Sequence, residues 1–352
     1  MRFVLALCLA AVAVAARADR VDSLVRAAMA SGHVPGLSLA ITRRGKVVKT
    51  AGYGYANLEL RVRATPNTVY SLHSVSKQFT AAAAMILVER GMLNLDESVT
   101  RYLSGLPDAW KPITIRNLLT HTCGIPDYLN EMNLSGNSDS EVIAALGKLP
   151  LRFAPGDKWS YSNSGYLVLA QVVLKVSGRT TQDLLQERVF GPLHMDATRS
   201  ADRSVVIPNR SSKYIWKDGA FQNAEFAITV EQVADGGLMS TALDLAKWDA
   251  ALYTDRVLRP ESLKQMWTAH RLNNGASTGY GFGWFVVDTD GRRRLVHYGA
   301  SANGDRAAIA RYPDDGLGII ILVNGGTPDF KTLITGIAAH YAPDLKDPAP
   351  DE

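Results

Sequence analysis

Both ends of this chain are written in short, apolar, turn-punctuated runs, while the long stretch between them is helical in pattern. Near the start, Leu37 to Thr42 and Val47 to Tyr55 flank Arg44-Gly45, a hairpin signal. After about residue 275 the same texture returns in Tyr280 to Asp288, Arg293 to His297, Arg306 to Tyr312 and Gly318 to Val323. Asp314-Asp315-Gly316 is the turn between the last two. Between these ends, Gln78 to Arg90 carries four alanines and stops at Gly91, a C-cap signal. Leu167 to Val176 closes at Ser177-Gly178, Asp183 to Phe190 runs up to Gly191-Pro192, and Thr241 to Tyr253 starts at a Ser240 or Thr241 cap. Strands at both ends with helices between them imply one sheet closed by the termini, with the helical middle as an insertion.

At 352 residues the chain is long enough for one large domain or two subdomains. Hydrophobic residues at 47% and charged residues at 20% exclude disorder and a collagen-like repeat. The net charge of +4 is too small a surplus to suggest nucleic acid, and the densest basic run, Arg292-Arg293-Arg294, reads as a solvated turn. Cys8 and Cys123 are the only cysteines, which excludes a disulfide framework and a Cys-based zinc site. The seven histidines are scattered, with no pair at helical ligand spacing, so neither a metal nor a cofactor is expected. At the start, Arg2 precedes an apolar run from Phe3 to Ala16 that ends in Ala16-Arg17-Ala18, a small-x-small cleavage signal. The run is shorter than the roughly 20 residues of a membrane-spanning helix. Residues 1–18 therefore read as a secretory signal, and a periplasmic or secreted protein without stable membrane insertion is expected.

Ser74-Val75-Ser76-Lys77 is the only Ser-x-x-Lys in the chain, and it opens the alanine-rich helix. Spacing of three puts Ser74 and Lys77 on one face, one turn apart. The Ser74 N–H is then one of the unpaired donors at a helix start, suited to holding an oxyanion. A cation there opposes the helix macrodipole, and that repulsion, with burial, favours a neutral lysine able to take the serine proton. The plain alternative is a capping serine beside a solvated lysine.

Tyr-x-Asn occurs at Tyr55, Tyr128 and Tyr161. Only Tyr161-Ser162-Asn163 lies between Pro155-Gly156 and an apolar helix, a rigid platform for an acid–base tyrosine. Ser162 or Asn163 also reads as that helix's cap. Tyr55 and Tyr128 are expected to tolerate loss of the hydroxyl. His297-Tyr298-Gly299-Ala300 follows a strand-like run. Gly299 would let a substrate backbone approach and leave the Ala300 N–H as a second oxyanion donor.

Together these motifs resemble the serine β-lactamase and penicillin-binding-protein superfamily, and within it the class C β-lactamase branch with its esterase and DD-peptidase relatives. Tyr161 follows Ser74 by 87 residues and His297 follows Tyr161 by 136, the order and spacing of that branch. Leu118 through Thr122, Gly191-Pro192-Leu193, Gly236 through Thr241 and Tyr280 through Trp284 add to the likeness. The resemblance implies an α/β (α+β), β-lactamase/transpeptidase-like fold: an antiparallel sheet flanked by helices with an inserted, mostly helical subdomain. Residues 19–100 and 275–346 would form the sheet part, 101–274 the helical part and 347–352 a tail. It also implies roles. Ser74 would attack a carbonyl, Lys77 would take its proton, and the Ser74 and Ala300 N–H groups would hold the oxyanion. Tyr161 would protonate the leaving group and later activate water, and Asn163 would orient Lys77 or a substrate amide. Cys123 stands where relatives often have serine and reads as a small structural residue.

His297 stands where many members have lysine. A β-lactam or D-Ala-D-Ala substrate carries a carboxylate that needs a cation or strong donors. A histidine is charged only in part near neutrality, so carboxylate substrates should gain only as pH falls. The expected activity is therefore hydrolysis of small neutral esters through an acyl-enzyme. The alternatives are a D-Ala-D-Ala carboxypeptidase or D-aminopeptidase, a weak β-lactamase, and a penicillin-binding protein that stays acylated. The partner is a small ester, amide or peptide.

Overall fold

Alternating burial builds the sheet. In strand β1 (Gly36–Arg43), Leu37, Leu39 and Ile41 face one apolar cluster, whereas Ala40 faces another. Strand β12 (Leu317–Val323) divides in the same way, with Ile319 and Ile321 on one side and Ile320 and Leu322 on the other. Period-two side chains that are apolar on both faces demand a central pair covered twice. The two strands do pair, antiparallel, from Leu37 opposite Val323 to Arg43 opposite Leu317, so the first and last strands of the chain lie side by side.

In a computed structural model, the described residues are 20–131, 138–202, 204–224, 235–289, 292–301 and 304–344. The signal at 1–18 and the tail at 347–352 lie outside them. Strands β2 (Lys46–Asn57) and β3 (Val62–Arg63) extend the sheet beyond β1. Strands β11 (Arg306–Tyr312), β10 (Arg292–Ala300) and β9 (Phe285–Thr289) extend it beyond β12, giving the order β3-β2-β1-β12-β11-β10-β9. Helix α1, over 20–31, and the last helix, Phe330–Tyr341, cover one face through Val21, Val25, Leu333, Ile334 and Ile337. The other face carries helix α2 (Lys77–Glu89), against which α3 (Asn163–Ser177) and α4 (Ala242–Ala251) pack. This is an antiparallel sheet flanked by helices on both faces, the arrangement that the resemblance implies.

Ala81, Ala82, Ala83 and Ala84 of α2 are all fully buried. Small side chains let a helix surrounded on every side approach its neighbours closely, which is why the alanine run sits at the centre of the molecule. Three sequence expectations shift here. The apolar helix starts at Asn163, a turn before its apolar run, because Ser162 caps it by accepting the Gly165 N–H. The strand expected over Tyr280 to Asp288 pairs only from Phe285. A Cβ on Gly281 would lie 2.1 Å from the Met266 carbonyl oxygen, and one on Gly283 would lie 2.8 Å from that of Lys77. That segment is spent on close backbone contacts and makes no ladder. The helical middle also holds short strands, among them Leu238–Ser240 between Tyr70–Ser71 and Arg199–Ser200.

Candidate active site

Ser74 lies in a 3₁₀ turn, His73–Ser76, and α2 begins only at Lys77. The sequence reading placed both in one α-turn. With three residues per turn in a 3₁₀ helix, positions i and i+3 eclipse, which brings the two side chains together more directly than an α-turn does. Lys77 is fully buried. Its Nζ lies 3.3 Å from Ser74 Oγ, 2.7 Å from Asn163 Oδ1 and 2.7 Å from the Asp235 carbonyl oxygen. The last two oxygens can only accept. Nζ donates to both and, at the longer distance, to Ser74 Oγ, so the group nearest the serine hydroxyl is the one a general base at this position would use.

Tyr161 stands beside this amine, with Lys77 Nζ 4.9 Å from its ring centre. Its buried hydroxyl has no hydrogen-bond partner among the described residues. The loop before it is pinned by one residue, His121. The Ser160 N–H donates to the His121 carbonyl at 3.0 Å, and the Ser162 N–H donates to His121 Nδ1 at 3.1 Å, so Tyr161 is held from both sides. The His121 ring packs on Tyr161 with centres 4.3 Å apart. Burial, and then the charge of Lys77, push the His121 pKa well below its ordinary value, so the ring is neutral. Asn163, at the start of α3, gives its side-chain oxygen to Lys77, while its backbone N–H donates to Asp127 Oδ2 at 2.5 Å.

His297 departs from expectation. Only 1% exposed, it places Nδ1 2.8 Å from the Tyr298 carbonyl oxygen and Nε2 2.9 Å from the Tyr280 hydroxyl. Burial, and then Lys77, lower its pKa to about 3, so the ring is neutral. A carbonyl cannot donate, so the single proton sits on Nδ1, and Nε2 accepts from Tyr280. Both nitrogens are spent inside the protein. The gain in carboxylate recognition expected as the pH falls through the usual histidine range therefore has no basis. Acidification should instead destabilise. Below about pH 6.5 an unfolded histidine binds a proton that the folded His297 refuses until about pH 3. Stability from this group is complete above pH 6.5 and falls by roughly 1.4 kcal/mol per pH unit on acidification through that window. Thermal unfolding between pH 7.5 and 5 should show the loss, and a wild-type Tm independent of pH would refute it.

Gly299 is buried, and a Cβ there would lie 2.0 Å from the Leu72 carbonyl oxygen. The close approach this glycine permits is thus by the protein's own backbone rather than by a substrate. Ala300 does present a donor. The Ser301 N–H donates to the Asp305 carbonyl, so in the alternation of an antiparallel pair the Ala300–Arg306 position is not hydrogen-bonded. The Ala300 N–H turns away from β11, and β9 pairs with β10 only as far as Val296. The Ser74 N–H, in the first turn of its 3₁₀ segment, is likewise unpaired within it.

The sequence reading missed several groups. Asp235 holds Lys77 through its carbonyl, and its carboxylate accepts a hydrogen bond from the Tyr128 hydroxyl. Burial raises the Asp235 pKa, with Lys77 and the Tyr128 bond opposing. Tyr128 is therefore no surplus copy of the motif. Asp127, Tyr128 and Asp235 were visible as polar residues beside the Gly124-Ile125-Pro126 and Gly236-Gly237 stretches, but nothing local marks their burial. Tyr55 is different: it lies on β2, and its ring stacks under Arg63 of β3. Cys123 is buried, and burial pushes its thiol up to about 11, as suits a structural residue. Among the described residues, no three His, Cys, Asp or Glu side chains group as metal ligands, and no helix is long and apolar enough to cross a membrane.

A Beta-lactamase family model matches residues 21–342, nearly all of the described chain. The chain belongs to the beta-lactamase family. Within it, the chain is similar to Penicillin-binding protein 4* of Bacillus subtilis (strain 168), at 30% identity over 80% of this chain and 66% of that protein. Protein flp of Staphylococcus aureus (strain COL) is 25% identical over 87% of this chain and 63% of its own length. The chain thus spans less than two thirds of the length of these curated relatives. Among solved structures, a penicillin-binding protein from Bacillus halodurans matches with a TM-score of 0.79 and 26% identity over 89% of this chain and 98% of that one. The octameric penicillin-binding protein homologue of Pyrococcus abyssi gives 0.78 and 29% over 91% and 76%.

Proposed function

We propose that this chain hydrolyses small neutral esters through an acyl-enzyme on Ser74. The observation that carries the reading is the placement of the buried Lys77 amine against Ser74 Oγ, Asn163 Oδ1 and the Asp235 carbonyl. Lys77 takes the hydroxyl proton as Oγ bonds to the substrate carbonyl carbon. The Ser74 and Ala300 N–H groups hold the oxyanion. Collapse breaks the bond to the leaving alkoxide, which takes a proton from Tyr161. The Tyr161 phenolate then takes a proton from water as it attacks the acyl carbon, and collapse breaks the bond to Ser74 Oγ, which takes its proton back from Lys77 as the acid leaves. The preference for neutral esters is supported by His297, which offers neither charge nor N–H to a substrate carboxylate. Export behind a cleaved signal belongs to the same proposal, and N-terminal sequencing of the exported protein should start at Asp19.

A second reading, a penicillin-binding D-peptide hydrolase, is favoured by the names of the relatives. One panel on the purified protein separates the two: p-nitrophenyl acetate, a D-Ala-D-Ala peptide and a chromogenic cephalosporin. The ester should turn over fastest at pH 7–8, and its ratio to the other two should stay level down to pH 5. A cephalosporin hydrolysed faster than the ester defeats the ester reading. A penicillin label that persists without ester turnover defeats turnover altogether.

A further inference from the structure

The residues flanking the two oxyanion donors reach the same carboxylate oxygen. His73, immediately before Ser74, places Nε2 2.9 Å from Asp305 Oδ1, though the approach is not aligned with an N–H bond. Ser301, immediately after Ala300, donates its hydroxyl to that Oδ1 at 2.9 Å. Lys213 Nζ lies 2.8 Å from the other oxygen, Oδ2. Asp305 is 1% exposed. Burial alone would raise its pKa, but His73 and Lys213 more than offset this and hold the carboxyl well below the usual range, so it is ionised.

A buried carboxylate is a costly way to join segments unless the geometry it sets is used. Here it joins three: the nucleophile turn, the end of β10, and the chain leading into the strand Tyr214–Lys217. The first two are already in contact, since a Cβ on Gly299 would lie 3.1 Å from His73 Cβ. His73 also holds φ at 47°, a left-handed conformation that a non-glycine residue keeps only under restraint.

We propose that Asp305 is a positioning residue that sets the gap between the Ser74 and Ala300 N–H groups by tying His73 to Ser301. The proposal rests on Ser74 being the nucleophile. Asp305 itself meets neither substrate nor reacting atoms. Its effect belongs to the tetrahedral state, where both donors must reach one oxygen.

The test uses the mature protein with Asp305→Ala, Ser301→Ala, His73→Gly and the His73→Gly/Asp305→Ala double variant. Ester kcat and KM are measured, along with the affinity for an aryl boronic acid. Boron accepts the Ser74 Oγ electron pair, the hydroxyl proton passes to Lys77, and the tetrahedral adduct puts a B–O oxygen where the oxyanion would sit. A donor misplaced by about 1 Å costs on the order of 10²-fold. Asp305→Ala should therefore lower kcat and boronate affinity together by about 10- to 100-fold, with KM within about threefold. The double variant should be no worse than Asp305→Ala alone, because both act through one contact. Should Asp305→Ala fail to fold, Ser301→Ala and His73→Gly carry the test, since neither removes the carboxylate; both should show the same parallel loss, in smaller measure. Folded variants with unchanged kcat and boronate affinity, a rise in KM alone, or additive losses in the double variant overturn the clamp. A wild type that forms no Ser74 adduct removes the nucleophile assignment and the clamp with it. A normal wild-type adduct beside unaffected variants removes the clamp only.

Discussion

Ser74→Ala is expected to lose acyl transfer by about 10³-fold or more while unfolding at nearly the wild-type temperature. The two halves of this result have separate causes. The hydroxyl is half-buried and its 3.3 Å contact with Lys77 is long, so little stability rests on it. Lys77 keeps its shorter bonds to Asn163 and Asp235 when the hydroxyl is gone. The chemistry has no substitute. Cys123 is buried with its thiol held at about 11, leaving almost no thiolate at neutral pH. Ser76, two residues on, is fully buried, and its hydroxyl accepts the Leu238 N–H. Intact mass after a fluorophosphonate probe, read beside p-nitrophenyl acetate turnover, checks the result. A folded Ser74→Ala protein that still labels and still turns over ester would refute the nucleophile.

Tyr161→Phe should cost about 10²–10⁴-fold in turnover, the usual contribution of a general acid–base group. Its stability should hold, because the hydroxyl it loses has no hydrogen-bond partner among the described residues and the ring contacts with His121 and Lys77 remain. Tyr128→Phe provides the contrast within the same motif. There the deleted hydroxyl is the donor to a buried carboxylate, that of Asp235. Leaving that acceptor unsatisfied should cost about 1–3 kcal/mol of stability. The paired measurement is ester turnover and thermal unfolding on both variants. Should Tyr161→Phe turn over normally, proton transfer to the leaving group passes to Lys77. Equal unfolding temperatures for wild type and Tyr128→Phe would mean that Asp235 finds another donor.

Much of the fold could be read locally. The runs of β1, β11 and β12 alternate with a period set by backbone geometry, and the caps at Ser162 and Thr241 depend on residues within three positions of them. Ser74 and Lys77 were legible for the same reason: a spacing of three on a helical turn places them together whatever the rest of the chain does. Tyr161 was separable from Tyr55 and Tyr128 because a long apolar helix follows it at once.

What local pattern could not supply was burial and the partner that burial selects. His297 reads from sequence as a partly charged stand-in for lysine. Its neutrality and the spending of both its nitrogens arise because Tyr280, 17 positions away, and Lys77, on another element, close over it. Tyr128 became a support for Asp235 across 107 positions, and Gly299 yields its space to the Leu72 carbonyl. By itself the sequence determined most of the elements, the order of the strands along the chain and the pairing of Ser74 with Lys77, because these follow from neighbours a few bonds apart. The tertiary structure alone decided which polar groups lose water, and hence which are charged and which donors remain for a substrate. Desolvation is a property of everything packed around a group, and those surroundings come from every part of the chain.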